Sequence, residues 1–125
     1  MKVQFSTLNN VLLNNVCEVR FAKRTSAPDN PEYRRMWCTK SFELLSTVNG
    51  KITLNYKEPK HRKQINEAVK NVLVVWDILM QDYRMVSLED CDLIRKIPAN
   101  ESFWKFFNEN IYPMSAEDKL TFMNT

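Results

Sequence analysis

Residues 17–24, CEVRFAKR, put Cys17, Val19 and Phe21 on one side and Glu18, Arg20 and Ala22 on the other. Only an extended strand has a two-residue period, so the stretch predicts a strand with one face against a core. The rest of the chain extends this pattern. YRRMWCTK (33–40) is rich in aromatic and β-compatible residues, and KITLNY (51–56) sets Ile52, Leu54 and Tyr56 against Lys51, Thr53 and Asn55. VLVVWDIL (72–79) is the most hydrophobic stretch and predicts the centre of a sheet. The tight turn MQD leads to the returning strand YRMVSLED (83–90), and CDLIRKI (91–97) reads as a short strand or a helical turn. These pieces predict one mainly β domain of five or six antiparallel strands.

Helices are expected at the two ends. STLNNVLLNN (6–15) reads as a short helix capped by Ser6 or as an irregular lead-in. After Pro98, NESFWKFFNENIY (100–112) predicts a helix capped by Asn100, with Phe103, Trp104, Phe107 and Ile111 as its apolar stripe. Phe106 falls off that stripe. SAEDKLTFM (115–123) predicts a last helix, with Ser115 and Asp118 as a capping box. Between the strands, TSAPDNPE (25–32) is a loop, SFELLSTVNG (41–50) holds a helical turn before Asn49-Gly50, and 57–71 is a basic connection with a helical turn near 64–70.

The phrase YRRMWCT (33–39) returns, shortened, as DYRMVS (82–87). In both, Arg and Met are adjacent and point to opposite faces of a strand. Aligned on Arg-Met, the repeat places Met36 and Met85 in the core and Arg35 and Arg84 outside, with Trp37 and Val86 following the arginines in phase, so that this outer face is either partly covered or a contact surface. Two hairpins of one small barrel can share such a pattern for structural reasons alone. An exposed Trp37 would instead make it a functional arginine–aromatic surface.

The pairing of VRFAKR…YRRMWCT with VVWDILMQDYRMV resembles the WYL-like family of small tailed-phage proteins with an Sm-like SH3 β-barrel. The matching residues are Val19, Phe21, Lys23, Arg34 or Arg35, Met36, Cys38, Thr39, Val74, Trp76, Asp77, Tyr83 and Arg84. The long loop TSAPDNPE replaces that family's short glycine-bearing turn, and the FWKFF helix lies outside the likeness. The resemblance implies a small SH3/Sm-like antiparallel β-barrel over 1–98, with a helical extension over 99–125 packed on it in the same domain. It also implies a phage origin and work in the host cell cytoplasm, with the virion as the alternative.

Composition removes several chemistries. Of 125 residues 44% are hydrophobic and 26% charged, the balance of a folded domain, and one glycine leaves no phosphate-cradling loop. A single histidine, His61, excludes a multi-histidine metal site. Cys17, Cys38 and Cys91 lack zinc spacing and are expected as reduced thiols. Cys38 as a nucleophile would need His61 beside it; a buried thiol is the simpler reading. Glu89, Asp90 and Asp92 read as a charged turn rather than a catalytic or magnesium site. No apolar run approaches the about 20 residues of a membrane helix, and the N-terminus lacks the apolar stretch of a signal peptide. No cofactor, metal, membrane or small-molecule substrate is expected, and no enzymatic activity.

The remaining features suit binding. Net charge is +3, and KEPKHRK (57–63) gathers Lys57, Lys60, His61, Arg62 and Lys63 against Glu58. The run is either a solvated loop or a set of phosphate contacts. With Arg34, Arg35, Lys40 and Arg84 on the sheet it predicts a basic stripe, on which Trp37 or Tyr33 would stack bases. The expected function is a non-enzymatic phage accessory protein that binds nucleic acid, through Arg34, Arg35, Trp37, Lys40, Lys60, Arg62, Lys63 and Arg84. The alternative is a protein-binding module, a host-protein inhibitor or an assembly component, that uses Trp104 and Phe106 of the aromatic helix.

Overall fold

The computed structural model describes residues 3–23, 26–27, 29–57 and 67–125. Helix α1 (Phe5–Asn14) leads into β1 (Asn15–Ala22), which pairs antiparallel with β2 (Tyr33–Thr39), Val19 opposite Met36. A helical turn, α2 (Phe42–Leu45), precedes a two-residue hairpin, β3 (Val48–Asn49) and β4 (Ile52–Thr53). Gly50 makes its turn at φ +63°, where a side chain is strained. The turn α3 (Glu67–Lys70) precedes β5 (Val72–Asp77), which pairs antiparallel with β6 (Asp82–Ser87). Strand β7 (Cys91–Pro98) returns along β1. The chain ends in α4 (Glu101–Phe106), a π-helical turn (Phe107–Ile111) and α5 (Ala116–Met123).

The main sheet runs β6-β5-β2-β1-β7. Both expected hairpins are present, the ambiguous stretch 91–97 is a strand, and the fold is mainly β with C-terminal helices. Three expectations change. The sheet is not closed into a barrel; β6 and β7 are its edges. Its centre is β2 rather than the most apolar strand, because β1 and β5 both pair with β2. Helix α1 starts one residue before Ser6, with Gln4 at the N-cap and no side-chain cap.

Both faces of the sheet are packed. On one, Leu8 and Leu12 of α1 lie on Cys17, Val19, Phe21, Met36, Cys38, Leu73, Val75 and Val86. On the other, Phe103, Trp104, Phe107, Ile111 and Met123 lie on Val16, Trp37 and Trp76. The helices hold because their ends are satisfied. Asn100 Oδ1 accepts from the Ser102 amide at 2.9 Å, and Ser115 and Asp118 form the expected capping box. The buried Thr39 hydroxyl donates to the Asn15 carbonyl at 2.9 Å and ties β2 to the start of β1.

Strand register revises the repeat. Trp76 lies opposite Tyr83, Val75 opposite Arg84 and Leu73 opposite Val86. Val86 therefore enters the α1-side core, and Met85, expected in the core, is half-buried on the other side with Val74. The two phrases align on Tyr-Arg: Tyr33 with Tyr83, Arg34 with Arg84, Met36 with Val86. Met36 and Met85 are one residue out of phase, and a one-residue shift exchanges the faces of a strand.

Candidate functional site

The structure scatters the basic stripe. Adjacent strand residues alternate faces, so Arg34 lies on the α1 side of β2 and Arg35 on the helix side. Arg84 shares the side of Val75 and Val86, where its Nε donates to Asp77 Oδ2 at 3.2 Å. Asp77 is buried, and its Oδ1 also accepts from the amides of Leu79 and Met80, closing the β5–β6 turn. Burial pushes its carboxyl above the ordinary range, opposed by those amides and by Arg84. Lys40 Nζ donates to Glu67 Oε2 at 3.0 Å and to Asn9 Oδ1 at 2.9 Å. Lys60, Arg62 and Lys63 lie outside the described residues.

Trp37, expected outside, is 2% exposed. The C-terminal helices fold over its side of the sheet, and the Phe106 ring lies 4.9 Å from it. Arg95 stacks on both rings, its Cζ 4.9 Å from the Trp37 centroid and 4.8 Å from that of Phe106. Glu18, opposite both Trp37 and Arg95 in register, is buried between Arg95 (3.6 Å) and Arg35 (3.9 Å). In the next rows Arg20 stacks 3.9 Å above Tyr33, whose hydroxyl donates to Asp90 at 2.5 Å. The bond to Asp90 raises the Tyr33 pKa. Arg20 and Arg95 join this surface without any local signal in the sequence; only the register across β2, β1 and β7 brings them together. The surface is rich in arginine and aromatics, and its charges are largely matched from within.

The protein-binding pair changes as well. Trp104 is 5% exposed in the core, and Phe106 has the core contact that its off-stripe position hid. The cysteines are buried, free thiols, and burial pushes Cys17 and Cys91 up to about 12. Among the described residues no cluster of metal-ligating side chains forms, and no helix is long and apolar enough to cross a membrane.

A second basic surface forms where the β3–β4 hairpin, the β5–β6 turn and the C-terminal helices meet. A cavity of about 330 Å³ has Ile52, Ile78, Phe107 and Ile111 among its walls and carries Lys51, Lys119 and Tyr112. A second cavity of about 460 Å³ adjoins it, lined by Asn55, Tyr56, Lys57 and Gln81. Asn55 and Gln81 border both cavities. These volumes fall within the about 300–1,000 Å³ of small-ligand pockets. None of Lys51, Lys57 and Lys119 has a carboxylate within 4.0 Å among the described residues, in contrast to Arg35, Arg84, Arg95 and Lys40.

Aromatic rings flank this groove. Tyr112 is 62% exposed and follows the π-helical turn, its amide bonded to the Phe107 carbonyl five residues back at 2.8 Å. Isolated π turns widen a helix and are frequent at functional sites. Tyr56 makes T-shaped contacts with Trp76 (5.4 Å), Phe42 (5.8 Å) and Tyr83 (6.2 Å), and Phe42 is 59% exposed. Of these residues the sequence singled out Lys57 for binding. Lys51 lies more than sixty positions before Tyr112 and Lys119, so no spacing rule joins it to them. Comparison with family models, curated proteins and solved structures yields no match for the chain.

Proposed function

We propose that the protein is a nucleic-acid-binding module and that the lysine groove is its binding surface. The observation that carries this reading is the charge state of the groove: Lys51, Lys57 and Lys119 line adjoining cavities without carboxylate partners among the described residues. Solvated ammonium groups beside apolar and aromatic walls suit a flexible polyanion with flat bases. The lysines meet phosphates, the exposed Tyr112 offers a ring to stack on, and the half-buried Tyr56 gives the second cavity an aromatic wall. The small β module of the SH3/Sm-like kind and the phage setting belong to the same proposal and rest on the sequence resemblance.

Fluorescence anisotropy of a labelled oligothymidine at low salt tests it. Binding is expected to weaken linearly in log–log form as salt rises, with a slope of about −0.7 for each phosphate neutralised. Absence of binding at low salt and high protein concentration would overturn the proposal.

A further inference from the structure

Resting on that reading, we infer that the groove holds two consecutive bases of a single strand and that the Asn55–Gln81 amide pair is the wall between them. Among the described residues, the two cavities share these two alone. Each cavity has its own tyrosine and at least one lysine: Tyr112 with Lys51 and Lys119 on one side, Tyr56 with Lys57 on the other. One continuous basic strip would lack this division. Two compartments, each with an aromatic face and an ammonium group, match the repeating unit of a nucleic acid, one base and one phosphate.

The wall also has a direction of hydrogen bonding. Asn55 Nδ2 donates to Gln81 Oε1 at 2.8 Å, and Asn55 Oδ1 accepts from the Thr53 hydroxyl at 3.0 Å. Both amide oxygens are thus engaged, whereas the Gln81 amide nitrogen keeps its two N–H groups and Asn55 keeps one. The wall offers donors to what enters. Thymine and uracil present two carbonyl acceptors, whereas adenine sets an exocyclic amine donor beside its ring-nitrogen acceptors. That amine opposes the second N–H of the wall, so keto-pyrimidines are favoured by a modest margin. Both residues hold left-handed backbone, Asn55 at φ 53° and Gln81 at φ 55°, which fixes the wall on two turns rather than on a strand.

The test is competition anisotropy with thymidine oligonucleotides of one to six residues, oligoadenylate of the same lengths, and inorganic polyphosphate of matched charge. Affinity should rise about tenfold from one residue to two and by small electrostatic steps beyond. Tyr112→Ala should weaken oligothymidine about tenfold, with the salt slope and polyphosphate binding unchanged. Oligothymidine should exceed oligoadenylate by about fivefold, and Gln81→Gly, which removes the amide while relaxing the backbone, should abolish that preference. Polyphosphate binding as tightly as oligothymidine, with no effect of Tyr112→Ala, would overturn the two-base inference and leave a charge-only groove. Equal binding of the two oligonucleotides would overturn the donor wall. Failure of every polyanion to bind would instead remove the proposed function itself.

Discussion

The arginines of the sheet and the lysines of the groove carry the same charge and do different work. Arg35 and Arg95 share Glu18, Arg84 holds Asp77, and Arg20 lies on Tyr33. Lys51, Lys57 and Lys119 make no such contact among the described residues. A guanidinium is planar and weakly hydrated, so it stacks on rings and pairs with buried carboxylates. An ammonium is a strongly hydrated point charge. The arginines therefore act as internal ties between β2, β1, β7 and α4, and the lysines stay available to solvent. A count of basic residues treats these surfaces alike, whereas the partners of each charge separate them.

Substitutions across the two regions should separate them in measurable ways. The largest effect is expected at Trp37, where truncation to Ala empties the space under Phe106 and Arg95. Urea unfolding should report a loss of about 4 kcal/mol. A Trp37→Ala protein of near-native stability that had lost oligonucleotide binding would break the comparison, by making the sheet face the interface.

Asp77→Ala follows, at about 3 kcal/mol, because it strips a buried partner from Arg84 and from two turn amides. Its carboxyl is raised by burial, so the native chain holds this proton more tightly than the unfolded one. That contribution is complete below the unfolded pKa, about 3.9, and is lost as pH rises through the native value. Wild type should therefore lose stability relative to Asp77→Asn as pH rises above about 4 in paired urea melts. A difference that stays flat or grows would remove burial as the controlling factor.

Phe106→Ala should cost about 2 kcal/mol, in keeping with a half-buried ring, and should leave oligonucleotide affinity intact. Smallest in stability is the pair Lys51→Ala with Lys119→Ala, within about 0.5 kcal/mol of wild type. The same double change should flatten the salt slope for a single strand by about 1.4, whereas Arg35→Ala should leave that slope where it was. Equal flattening by both would merge the two surfaces into one.

Local pattern carried the hairpins, the caps at Asn100 and Ser115, and the helix stripe, because alternation and capping chemistry are written over a few neighbouring residues. It failed for the facing of 82–87. Tyr83, Arg84, Met85 and Val86 suit either face, and only pairing with β5 fixes which one is buried. It failed for Trp37 because burial there depends on helices that begin more than sixty residues later. The sequence stripe of α4 omitted Phe106 for the same reason: that ring packs toward β2 and Arg95. The groove was illegible as a unit, since its parts come from a hairpin, a turn and two C-terminal helical segments.

With one glycine in the chain, at Gly50, left-handed backbone elsewhere among the described residues falls to Asn55, Asn71 and Gln81. Such a conformation costs an ordinary side chain about 1 kcal/mol or more, and asparagine somewhat less. Each position is thus a latent stabilising mutation to glycine. At Asn71, ahead of β5 and outside both cavities of the groove, an engineer could take that gain with the groove intact. At Asn55 and Gln81 a campaign scored on melting temperature alone would find the same gain and erase the amide wall. Heat selection and binding selection would then diverge at two positions and agree at the third, and a library randomised at all three would show it in one round.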